Sequence, residues 1–129
     1  MLADNLDLKC AKAANQVVTL GSKDDQLEKL CNDCSSVLAA HGPYALYLYL
    51  WSREKKNDAA LILIRATFDL LLECFPSMGP KFGIDRRTSL DQIGKLSENL
   101  DDLLLARRLL SRTLSYVRYH AKANSAVTT

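Results

Sequence analysis

Proline and glycine are sparse in this chain, three and five among 129 residues, and most of them fall between periodic segments. Long apolar runs are missing as well. The longest, "AALILI" and "LLLECF", are separated by Arg65 and Asp69, and neither approaches the ~18 residues of a membrane span. A spanning helix is thereby excluded, no membrane is a partner, and a soluble chain is expected. The opening "MLADNLDLKCAKAANQ" has no basic leader before an unbroken apolar segment, so no secretory signal is read there and a cytoplasmic location is expected. Cys10, Cys31, Cys34 and Cys74 are then expected to stay reduced. Gly79 and Gly83 lack the Gly-Lys-Ser/Thr that a phosphate loop needs. No internal repeat and no low-complexity tract occurs.

What is present reads as helix. With 48% hydrophobic residues, 1–129 is expected to form a single domain with one core. Leu6, Cys10, Ala13, Ala14, Val17 and Val18 make a helical stripe over about 2–20, ended by Gly21. Ser22 and Asp25 are spaced as a capping box for a second helix, whose inner side carries Leu27, Leu30, Cys31, Cys34, Val37 and Leu38. Gly42 ends it, and Pro43 suits the first turn of a third. In "YALYLYLWSR" the alternation of Tyr and Leu is a strand signal. It is nevertheless read as helix, because no second strand-like run exists to pair with it. Asn57 and Asp58 open a fourth, nearly all-apolar helix from Ala59 to Phe75. "PSMGPKFGIDRR" (76–87) is expected to be a long loop, followed by a short fifth helix capped by Ser89 and Gln92. A final helix capped by Asn99 or Asp101 is expected to reach about Ala123, with "NSAVTT" as a frayed tail. The fold class is all-α, a compact bundle of five to six helices.

The net charge of +2 hides an uneven distribution. Residues 1–102 hold 12 Lys or Arg and all 15 acids, a balance of −3, whereas residues 103–129 hold five basic residues and no acid, a balance of +5. At about 100 degrees per residue, Leu103, Ala106, Leu110, Thr113, Leu114, Val117 and Ala121 gather on one side of the last helix. Arg108, Ser111, Arg112, Ser115, Tyr119 and Lys122 gather on the other, with Arg107 and Arg118 along one shoulder. Guanidinium forks bind phosphate bidentately, hydroxyls donate to its oxygens, and a tyrosine ring stacks on a base or sugar. The pattern therefore suits a polyanion backbone. Against it stands the ordinary solvated helix face with cations favoured near the C-terminus. Further cations, Arg53/Lys55/Lys56 and Lys81/Arg86/Arg87, lie elsewhere in the chain.

Catalysis finds little support. Cys31 and Cys34 form a Cys-x-x-Cys with His41 as a further donor, but zinc takes four ligands and both cysteines fall on an apolar stripe, where Cys packs as a small hydrophobe. Neither a metal nor another cofactor is expected. His120 has no Cys, Ser or Asp partner at catalytic spacing, so the chain is read as not an enzyme. Tyr44, Tyr47, Tyr49 and Trp51 offer an alternative in another class, a helical adaptor that binds a protein through its aromatic third helix without nucleic acid.

Two stretches carry a family resemblance. "CNDCSSVLAAHGPYALYLYLWSRE" is similar to the helix, Asn-Gly turn and apolar helix ending in Lys or Arg of the small all-helical subunit of type III CRISPR effector complexes, the Cmr-type small-subunit family, with His41 in place of Asn. "LLLARRLLSRTLSYVRYHAKA" resembles that family's closing helix. Together they cover about a third of the chain. The resemblance implies a non-catalytic subunit of an antiviral ribonucleoprotein, with copies of itself stacked beside other effector subunits. Its partners would be guide RNA and target RNA, contacted through phosphate. The implied RNA-facing residues are Arg53, Arg107, Arg108, Arg112, Arg118 and Lys122, to which the helix pattern adds Tyr119.

Overall fold

Six α-helices and one 3-10 turn, with no strand, make up residues 2–21, 26–55, 58–79 and 85–127, which the computed structural model describes. They are α1 (Leu2–Gly21), α2 (Gln26–His41), α3 (Pro43–Arg53), α4 (Asp58–Cys74), the 3-10 turn Pro76–Met78, α5 (Arg86–Leu96) and α6 (Leu100–Val127). The expected caps Ser22/Asp25 and Asn57, and the cations Lys56 and Lys81, lie outside the described residues, as does Gly83.

The third segment shows how periodicity decides. Pro43, Leu46, Tyr47 and Leu50 are buried, a three-four-seven spacing that only a helix turns to one side. Gly42, at φ 90, leaves α2 with its N–H donated to the Leu38 carbonyl at 2.9 Å and opens α3 by accepting from the Leu46 N–H at 3.1 Å. A Cβ there would strain the backbone. Pro43 follows in the first turn, where its missing N–H costs nothing.

One core joins all six helices. α4 contributes nine buried residues and touches α1, α2, α3 and α6. At its centre the Tyr47 ring meets Phe68 edge-on, with centroids 5.8 Å apart. The Tyr47 hydroxyl donates to Thr67 Oγ1 at 2.9 Å, and Thr67 in turn donates to the Leu63 carbonyl at 2.7 Å. Every buried polar group in that chain is thus paired.

Three expectations need correction. The 76–87 segment is partly folded: Pro76–Met78 form a 3-10 turn and Arg86 already belongs to α5. Its cap is Asp85, whose carboxylate accepts the Thr88 N–H at 2.8 Å and the Thr88 hydroxyl at 3.1 Å. Ser89 and Gln92 are interior to α5 and buried instead. Ser89 accepts the Trp51 indole N–H at 3.0 Å, and Gln92 donates to the Met78 carbonyl at 3.2 Å, so both tie α5 to its neighbours. Asn99 does cap α6, accepting the Asp102 N–H at 3.1 Å. That helix continues to Val127, past the expected end, through alanines that favour helix; Thr128 and Thr129 lie outside the described residues.

Candidate nucleic-acid interface

α6 is two-sided. Ala106, Leu109, Leu110, Thr113, Leu114 and Val117 are buried against α1 and α2, while Leu103 and Ala121 are half-buried at the margin. Leu109 was not assigned to the stripe from the sequence; its carbonyl accepts the Cys10 thiol at 3.6 Å and the Thr113 hydroxyl at 2.8 Å. On the other side Arg108, Ser111, Arg112, Tyr119 and Lys122 are exposed. From Arg108 to Lys122 this side runs about 21 Å at ~1.5 Å per residue.

The cations differ in what already holds them. Arg107 donates to the Ala39 carbonyl in the last turn of α2, where a positive charge complements the helix dipole. Arg112 donates from Nη1 to Asp7 Oδ1 of α1 at 3.1 Å. The same oxygen accepts the Tyr116 hydroxyl at 2.7 Å, which holds the Tyr116 phenol above the usual tyrosine range. Arg118 is half-buried; it donates to Asn32 Oδ1 of α2 at 2.9 Å and lies 5.6 Å from the centroid of Tyr119, a ring that is 59% exposed. Arg108 and Lys122 make no hydrogen bond or ion pair among the described residues. Of the five cations, then, Arg112 is the one paired with a carboxylate there.

Between α2 and α6 lies a groove of about 560 Å³. Arg107, Arg108 and Arg112 line it from α6 together with Ser111 and Ser115. Ser35, Leu38 and Ala39 line it from α2, and among the described residues no Asp or Glu is in its walls. Sequence alone did not give this groove, because α2 contributes one wall and nothing local in α6 signals it.

Arg53 does not join it. Its guanidinium sits 5.2 Å over the Tyr49 ring, whose hydroxyl donates to Asp33 at 3.4 Å. Asp33 and Asn32 are adjacent on α2, about 100 degrees apart, so α3 and Arg53 approach one flank of α2 and α6 approaches another. Arg86 and Arg87 are exposed on the first turn of α5, which packs on α3 and the 3-10 turn. The clusters at Lys55 and Arg86/Arg87 therefore belong to the α3–α5 side.

Other candidate residues sit in the core or alone. Cys10, Cys31 and Cys34 are fully buried, and burial pushes the Cys31 thiol up to about 12 and Cys34 further. His41 is exposed at the end of α2 and His120 is exposed on α6. Tyr47, offered from the sequence as a protein-binding aromatic, is 0% exposed and is a core residue. Trp51 is half-buried with its N–H donated to Ser89, which leaves Tyr44 and Leu48 as the exposed apolar side chains of α3. No helix among the described residues is long and apolar enough to cross a membrane.

Compared with family models, curated proteins and solved structures, the chain matches none of them.

Proposed function

We propose that this chain is a non-catalytic small subunit of an RNA-guided CRISPR effector ribonucleoprotein, acting in antiviral defence in the cytoplasm. Copies stack along a filament beside larger partner subunits, meeting through their less basic sides, and α6 of each copy faces guide and target RNA. Its cations neutralise phosphate, while base sequence is read by pairing with the guide. The reading rests on the two family-like stretches and on one observation that carries most weight. Beyond Asp102 the outer side of α6 carries no acid of its own and stays in solvent, with Arg108, Arg112, Tyr119 and Lys122 exposed while Leu109, Leu110 and Leu114 behind them are buried.

The helix dipole does not account for that arrangement. It favours cations within the last turn, yet Arg107, Arg108 and Arg112 stand in the first half of the 28-residue α6. Each subunit contributes few contacts, and a filament multiplies them through effective concentration. Replacing both Arg108 and Arg112 with Glu is expected to abolish RNA retention while the helical circular dichroism stays unchanged. Retention at the wild-type level would contradict the assignment.

A further inference from the structure

The α2–α6 groove has a narrower chemistry than a general cationic face. Diffuse neutralisation of a polyanion requires charge alone, but exposed Ala39 and Leu104, over the buried Leu38, give this groove an apolar floor beside its arginines and serines. Leu104 is 53% exposed, so that floor is open to whatever enters. A pentose presents C–H faces between polar edges, and its phosphate needs forked donors: floor and walls supply the two together. The volume of about 560 Å³ falls in the ~300–1,000 Å³ range of small-molecule clefts.

At the rim, Asp7 occupies the donor that such a phosphate would use. Its Oδ1 takes Arg112 at 3.1 Å and the Tyr116 hydroxyl at 2.7 Å. Arg112 and Asp7 are 45% and 49% exposed, and an ion pair so open to water is held weakly. Tyr116 keeps Asp7 in position after Arg112 departs. We infer that the groove seats one sugar-phosphate unit, the phosphate between Arg108 and Arg112 and the pentose on the Ala39–Leu104 floor, with Asp7 as an internal competitor that Arg112 leaves when phosphate enters. The inference refines the strand reading and rests on it for its natural source, since a free nucleotide and one link of an RNA chain share this chemistry.

Titration of the full chain by NMR separates the possibilities, following the Nε–H signals of Arg108 and Arg112 and the methyl groups of Leu104. Uridine 5′-monophosphate is expected to shift all three residues saturably, and inorganic phosphate to shift the arginines alone. Asp7→Asn keeps an acceptor for Tyr116 and removes the competing charge, so it is expected to tighten uridine monophosphate binding roughly two- to fivefold, the scale of a lost exposed ion pair. Leu104→Gln is expected to weaken the nucleotide and leave inorganic phosphate unchanged. The seat is overturned if the nucleotide moves none of these groups saturably, or if Asp7→Asn leaves its affinity equal or weaker. A short single-stranded oligouridylate that binds more tightly than the mononucleotide identifies a strand as the source. Equal affinity leaves the seat standing and removes the strand reading; oligouridylate binding that bypasses Leu104 does the reverse.

Discussion

Removing the Thr67 hydroxyl should cost more than removing the Tyr47 hydroxyl, although both changes delete one and the same hydrogen bond. Tyr47 is fully buried and donates to Thr67 Oγ1 at 2.9 Å. In Tyr47→Phe the ring still fills its site against Phe68, and Thr67 still donates to the Leu63 carbonyl at 2.7 Å. One neutral hydrogen bond is lost, at about 0.5–1.5 kcal/mol. Thr67→Val keeps the shape but strands a phenolic O–H in the core, at about 1–3 kcal/mol. The double variant has no stranded donor, so it should be no less stable than Thr67→Val alone and should fall short of the additive loss by about 1 kcal/mol or more. Urea unfolding followed by circular dichroism measures all four proteins, provided the m-value is constant. Additivity within ~0.3–0.5 kcal/mol, or a larger loss in Tyr47→Phe than in Thr67→Val, would refute the pairing.

The thiols and the α5 cap give two further tests. At pH 8, native protein treated with iodoacetamide should be modified at half-buried Cys74 ahead of Cys10, Cys31 and Cys34, because those three are fully buried and burial pushes the Cys31 thiol up to about 12 and Cys34 further. Peptide mapping reads the order; early labelling of Cys31 or Cys34 would contradict the packing. Asp85 has its carboxyl lowered from 3.8, first by the Thr88 backbone N–H, so the charged form is the stabilising one. Its contribution is present above about pH 4 and lost as pH falls through the lowered value. Asp85→Asn keeps a cap without the charge, so the stability gap between wild type and this variant should close in acid; a gap independent of pH would exclude the carboxylate as the cap.

How far the sequence reached depended on whether a feature was local. Helical stripes and the Gly42–Pro43 corner are properties of neighbouring residues, and they were legible even in "YALYLYLWSR", where Leu46, Tyr47 and Leu50 share one side. Capping was ambiguous for a physical reason. Asp85 with Thr88 and Ser89 with Gln92 have the same spacing, and only tertiary contacts with Trp51 and Met78 decide that the second pair lies inside the helix. The site was half legible. Burial of Leu110 and Leu114 and exposure of Arg108, Arg112 and Lys122 follow from periodicity, whereas the pairing of Arg107 with Ala39 spans 68 positions and that of Arg112 with Asp7 spans 105. No local pattern encodes such pairs, nor the α2 wall that turns a cationic face into a groove. Arg53 was grouped with α6 through the family resemblance, and the flank of α2 it occupies is set by α3 packing.

The central claim is that the outer side of α6 is held ready for phosphate. Its most direct test is the salt dependence of single-stranded RNA binding by the intact protein. Three to five contacts from Arg107, Arg108, Arg112, Arg118 and Lys122 predict a linear fall of log affinity with log salt, at a slope of about −2 to −3.5. A slope near zero would mean that these cations meet no phosphate.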